Sequence, residues 1–263
     1  MEIGGLTIHY YALCILLGIA IAVWVGRIRY KNYGGDPEDI SDVAVWAVPA
    51  GIVGGRFYHV ITTPAKYFGE NGSPIDALKI WEGGLGIWGA ISLGAVAAYL
   101  YYRTHKTSLN FPLFLDSVAP GVLFAQAIGR VGNWFNVELF GAPSTLPWAL
   151  SVPKFDRPFG YQEFESFHPT FLYELIWCSI LAILIITMPS WIKRFISRPG
   201  DIFAIYVFGY TLGRLWIEAL RIDSANLVLG IRLNIWVSVT VLLGSALYLY
   251  KSRGFTKNQK ISD

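Results

Sequence analysis

Apolar residues run along this chain in blocks longer than the core-facing stripe of a soluble protein, and each block stops at a charged or Pro/Gly-rich turn. Seven blocks approach the roughly 20 residues that a helix rising 1.5 Å per residue needs to cross a bilayer. They fall near 7–26, 43–62, 85–102, 113–131, 170–188, 202–220 and 233–250. The second and third carry Gly51, Gly54, Gly55, Gly84, Gly86, Gly89 and Gly94, which predicts close helix packing. In the fourth, Pro120-Gly121 predicts a kink or break. The longest connection, 132–169, holds Trp134, Pro143, Pro147, Trp148, Pro153 and Pro158, and its aromatic content predicts an ordered head rather than a disordered linker. No signal-type cleavage site follows the first block, so that block is expected to stay in the protein.

Composition changes the picture by removing alternatives. The chain is 54% hydrophobic and 15% charged with mean hydropathy +0.46. Soluble domains carry about 25% charged residues. The expected fold is an all-α integral membrane protein: about seven transmembrane helices in one multi-pass domain over 1–263, with 132–169 as a small extracytoplasmic head. Twelve Lys and Arg fall on the side that holds Arg27, Arg103, Lys193 and Lys251, against seven on the other, and Arg56 and Arg214 lie inside blocks. The basic side faces the cytoplasm, so the N-terminus is expected outside and the C-terminus inside. A net charge of +3 without a Lys/Arg run gives no reason for a nucleic-acid partner. Cys14 and Cys178 read as buried small hydrophobes, and four His without ligand spacing predict neither metal nor cofactor.

Ionisable residues at membrane depth are expensive and usually functional. Tyr210, Arg214, Glu218 and Arg221 are spaced by four, four and three, forming one helical stripe whose two arginines outnumber its glutamate. The excess cation suits an anionic ligand. Gly129-Arg130-Val-Gly132-Asn133-Trp-Phe-Asn136-Val-Glu138-Leu-Phe-Gly141 closes the fourth block, with glycines that permit a departure from helix and four polar side chains, more than a helix cap needs. Weaker signals open other blocks: His9-Tyr10-Tyr11, Trp81-Glu82-Gly83-Gly84 (Glu82 a candidate N-cap) and His168-Pro169-Thr170 with Tyr173-Glu174. Arginine binds phosphate bidentately and stays charged in low dielectric, so this collection describes a phospholipid phosphate site. Neither a P-loop nor a Ser or Cys nucleophile motif accompanies it. A phospholipid transporter or scramblase would use the same arginines, but should place polar residues through the inner half of several spans as well.

With these residues the chain resembles the bacterial prolipoprotein diacylglyceryl transferases. Residues 129–141 match that family's signature at every specified polar, aromatic and glycine position except Val137, where Gly is usual. The likeness extends to His9-x-Tyr11, Gly55-Arg56, Trp81 to Gly84, Asp116 with Pro120, His168 to Glu174 (with Phe171 where Gln is usual) and Tyr210 to Arg221. It implies an inner-membrane enzyme, active toward the extracytoplasmic side, that moves the diacylglyceryl group of phosphatidylglycerol onto the lipobox cysteine of a prolipoprotein and releases glycerol 1-phosphate. The nucleophilic sulfur would then belong to the substrate. The resemblance implies Arg130 and Arg214 as catalytic, with Tyr11 and His168 facing the site. Arg130, Asn133, Asn136, Glu138, Tyr210, Glu218 and Arg221 would bind substrate. Many members carry a proposed basic His where this chain has Trp88 (in Trp88-Gly89-Ala90), so the expectation here is a thiol ionised mainly by the arginines' positive potential.

Overall fold

The computed structural model describes residues 2–3, 6–7, 10–70, 72–136, 138–223 and 225–259. His9 and Val137, singled out above, lie outside these residues, as does the side chain of Glu82. In chain order the elements are β1 (Glu2–Ile3), β2 (Leu6–Thr7), α1 (Tyr10–Asn32), α2 (Glu38–Thr62), α3 (Ala65–Phe68), α4 (Ile87–Thr104) and α5 (Phe111–Phe135), then β3 (Leu150–Ser151), β4 (Ser166–Phe167), α6 (Thr170–Thr187), α7 (Ser190–Lys193), α8 (Asp201–Leu220), β5 (Leu227–Val228), β6 (Ile231–Arg232) and α9 (Leu233–Gln259). Every apolar block is therefore a helix. Among the described residues α1, α5, α6 and Leu233–Arg253 of α9 are long and apolar enough to cross a membrane. In the other three, charges (Asp39, Asp42 and Arg56 in α2; Arg214 and Glu218 in α8) or Gly, Ser and Tyr (α4) dilute the apolar run.

Three expectations need correction. Helix α5 runs through Pro120-Gly121 without a break. Proline removes only one helical hydrogen bond, and at Gly121 the missing side chain admits the Ala22 backbone of α1, so packing holds the helix together. The signature glycines Gly129 and Gly132 are likewise helical, and the chain leaves the helix only at Asn136. Glu82 is not the cap of α4, whose N-cap is Gly86.

The chain divides into two compact units, Arg27–Phe114 and Met1–Gly26 with Leu115–Asp263. In the first, α2 and α4 touch backbone to backbone: a Cβ on Gly54 would meet the Gly89 carbonyl and one on Gly89 would meet that of Gly54. Gly86 N–H donates to Gly55 C=O at 2.8 Å. From α2 the buried Arg56 guanidinium donates to four loop carbonyls, those of Asp76, Ala77 (2.8 Å), Gly83 and Gly84 (3.1 Å), and so fastens the turn that leads into α4.

In the second unit α1 and α5 form an antiparallel seam in which Tyr11, Ile15, Gly18 and Ala22 oppose Gly132, Gly129, Ala125 and Gly121. Trp177 of α6 donates its indole N–H to Gly209 C=O of α8 at 2.8 Å and lies over Gly213. The Asp116 carboxylate, from α5, accepts the Gly200 and Phe203 N–H groups at 2.7 and 2.8 Å and thereby caps α8. Asp201, the first residue of α8, accepts Ser252 Oγ–H from α9 at 2.8 Å. Between α5 and α6, β3 pairs antiparallel with β4 over a small core of Phe140, Val152 and Phe167.

Candidate active site

One buried carboxylate organises the polar cluster. Glu174 stands in the second turn of α6, a helix otherwise apolar, and is 3% exposed. Its Oε1 accepts Arg130 Nη2 at 2.7 Å and Tyr210 Oη at 3.1 Å, and its Oε2 accepts Arg214 Nη1 at 3.1 Å. The arginine of the α5 signature and that of the α8 stripe are thus joined through a third helix. Their geometry explains the helical spacing: Tyr210 and Arg214 are one turn apart on α8 and reach the same carboxylate.

The network continues in both directions. Arg130 Nη1 donates to Asn133 Oδ1 at 3.1 Å, and Asn133 and Asn136 both donate to Glu138 Oε1, at 2.9 and 3.1 Å. On α8, Arg214 Nη2 pairs with Glu218 Oε2 at 2.8 Å, and Glu218 Oε1 accepts Arg232 Nε at 2.8 Å and Asn234 Nδ2 at 3.1 Å. Arg221 lies 3.7 Å from Glu218 and grips Asp223 bidentately at 2.6 and 2.8 Å. Arg232 also donates to Asp223 Oδ2 at 3.1 Å. Arg232 is delivered by the β5–β6 hairpin, whose two-residue turn, Leu229-Gly230, has positive φ at both positions as a type I′ turn requires. Burial alone would raise the Asp223 pKa, but Arg221 and Arg232 hold it below the ordinary carboxyl value.

The excess of one cation inferred from the stripe persists in the larger cluster, where Arg130 and Arg232 join the stripe's two arginines. Glu174 and Asp223 supply countercharge that sequence spacing does not reveal, leaving four arginines in ion pairs with three carboxylates among the described residues. One donor is left over: Arg130 Nε is buried and has no hydrogen-bond partner among the described residues. A buried N–H without a partner is rare, and here it belongs to a fixed guanidinium, a group shaped to receive an anionic oxygen.

A model of the family described as prolipoprotein diacylglyceryl transferase matches residues 1–251. Phosphatidylglycerol--prolipoprotein diacylglyceryl transferase 2 of Streptomyces coelicolor is 52% identical over 252 residues, covering 96% of this chain and 78% of that protein. The transferases of Bifidobacterium adolescentis and Corynebacterium glutamicum (strain ATCC 13032) are 51% and 48% identical, over 92% and 94% of this chain and 74% and 80% of theirs. The chain belongs to the prolipoprotein diacylglyceryl transferase family.

Gly132 admits the Tyr11 ring, which a Cβ would strike, so Tyr11 packs on α5 at a position two residues along from Arg130. Gly141 threads between elements: its N–H donates to His168 C=O at 2.8 Å, the next N–H donates to Leu220 C=O at 2.8 Å, and a Cβ would collide with Leu220 and Thr170. The signature therefore ties the head to the C-terminal end of α8. His168 accompanies this crossing, but its ring bonds Tyr173 Oη at 3.0 Å, which also accepts Trp148 Nε1–H at 3.2 Å. Among the described contacts its ring is not joined to the arginine chain. Trp88 sits in the first turn of α4 and is 40% exposed.

Sequence reasoning missed Glu174 as a site residue, and it missed Arg232 and Asn234 altogether. For Glu174 a signal existed: a lone acid inside an apolar helix calls for a buried cation. Arg232 carried no such signal, because it reaches Glu218 only through a hairpin fold.

Proposed function

We propose that this chain transfers the diacylglyceryl group of phosphatidylglycerol to the lipobox cysteine thiol of a prolipoprotein, forming a thioether and releasing glycerol 1-phosphate. The observation that carries the mechanism is the Arg130–Glu174–Arg214 bridge. Glu174 holds two guanidinium groups together, and Arg130 keeps one N–H free for a phosphate oxygen. In the reaction the substrate sulfur attacks the glycerol carbon that bears the phosphate, the C–O bond breaks, and the phosphate leaves with the bonding pair. Arg130 holds the phosphate of the bound lipid, while Arg214, steadied by Glu218, Arg221 and Arg232, stabilises the charge as it departs; a preorganised donor of this kind contributes about 3–4 kcal/mol. Asn133, Asn136 and Glu138 shape the headgroup end, and Tyr210 fixes Glu174. Tyr11 and His168 assist at the edge, with the thiol ionised chiefly by the positive field. The protein works as one membrane domain with seven spans in the bacterial inner membrane, N-terminus and site outside, C-terminus in the cytoplasm, and 132–169 as an extracytoplasmic head that meets the incoming prolipoprotein.

The test is purified protein incubated with phosphatidylglycerol and a lipobox peptide, followed by peptide mass. A diacylglyceryl increment on cysteine is expected. An unmodified peptide, or lipid movement between leaflets without one, would favour a headgroup-binding transporter.

A further inference from the structure

One turn away from the Arg130–Glu174–Tyr210 contact, on two of its three helices, a second polar pair has no part in the mechanism above. Gln126 precedes Arg130 by four residues on α5, and Tyr206 precedes Tyr210 by four on α8. Gln126 Nε2 meets Tyr206 Oη at 3.2 Å, and the rings of Tyr206 and Tyr210 stack with centroids 6.2 Å apart. Gln126 Oε1 is buried and has no partner among the described residues. Whichever way the amide is turned, one of its polar ends lacks a partner, and an unsatisfied amide in an apolar setting is destabilising. Helix α5 is apolar enough to cross a membrane, and Gln126 lies about 6 Å further from its C-terminal end than Arg130. That pair therefore occupies a level toward the middle of the helix, past the guanidinium groups.

We infer that Gln126 and Tyr206 form a specificity site for the ester linkages of the lipid donor, receiving its carbonyl oxygens while the arginines one turn away hold its phosphate. In a diacyl phospholipid the ester carbonyls lie a few bonds from the phosphorus on the acyl side, at the level where this pair stands relative to Arg130. With the amide turned so that Tyr206 Oη–H donates to Gln126 Oε1, the end without a partner is the Nε2 amide, whose N–H groups suit acceptors that have no donors of their own. Neither residue touches the reacting carbon; both act by fixing how far the lipid enters between α5 and α8.

This inference rests on the proposed transfer reaction, and its test separates the two. Rates of peptide modification are measured with diacyl phosphatidylglycerol and with a dialkyl ether analogue of the same chain lengths, which keeps the phosphate and loses both carbonyls. The wild-type protein is expected to favour the diester in kcat/KM by about three- to tenfold per carbonyl contact, the scale of a neutral hydrogen bond. Gln126→Leu and Tyr206→Phe should each lose that preference, falling on the diester and far less on the ether. A wild-type protein that uses both lipids equally, or variants that keep the wild-type ratio, would overturn the assignment. Tyr206→Phe preserves ring packing, so its ether rate reports directly whether the protein is folded. No modification with either lipid would instead overturn the transferase reading.

Discussion

At the scale of residues, Glu174 decides how the other charges behave. Two guanidinium groups share it, so Glu174→Gln leaves both partly uncompensated in a buried site. Breaking such a pair is destabilising by about 3–5 kcal/mol, and lower thermal stability in detergent together with lost transfer is expected. Arg130→Ala is different: Glu174 keeps Arg214 and Tyr210, so the protein should stay folded while transfer is abolished. Arg130→Lys should rescue poorly, because a point charge cannot serve Asn133, Glu174 and a phosphate at once. Equal unfolding of the Glu174 and Arg130 variants in a thermal melt would contradict the shared-carboxylate account. Asp223 gives a pH test. Its pKa is held down by Arg221 and Arg232, so its contribution to stability is complete above the ordinary Asp value of 3.8 and disappears as pH falls through the lower folded value. Asp223→Asn should therefore melt below wild type at pH 7, with the gap closing only in acid under that value. Arg130, Arg214 and Glu218 were readable as candidates because they break apolar runs locally. Glu174 was visible but looked like part of a helix start after Pro169, and its partners lie 44 and 40 residues away.

At the scale of elements, glycine placement sets which helices touch. Gly54 and Gly89 bring α2 and α4 into backbone contact, whereas a Cβ on Gly244 of α9 would meet nothing within 4 Å. Gly54→Leu is expected to reduce the yield of folded protein in detergent sharply, and Gly244→Leu to leave it near wild type. Comparable yields for the two would show that the α2–α4 contact is not tight. These glycines announced close packing in the sequence but not their partners, since a small residue records that something approaches and nothing about what. Pro120 shows the opposite failure. Its local chemistry predicts a kink or break, and α5 runs on without a break because the seam with α1 supports both sides of the proline.

At the scale of the whole molecule, the apolar blocks located the seven long helices among the described residues, with ends off by at most nine residues. Apolar length marks a helix interior, whereas α1 runs on to Asn32 through a charged last turn. The order of the 132–169 connection could be anticipated from its aromatics; its pairing of β3 with β4 depends on contacts that no local pattern encodes. Orientation is testable: a cytoplasm-dependent reporter fused after Lys260 should be active, and one inserted between Thr145 and Phe155 should be silent. Activity at both positions would refute the seven-span arrangement. The Arg56 clasp adds a different kind of consequence. Its acceptors are four peptide carbonyls, which do not take up protons in the range where carboxylates do. The bridges that fix α8 to α6 and to the β5–β6 hairpin depend instead on Glu174, Glu218 and Asp223. Acidification therefore loosens the molecule unevenly: the hairpin's hold on Asp223 lapses, while the turn into α4 keeps its grip on α2.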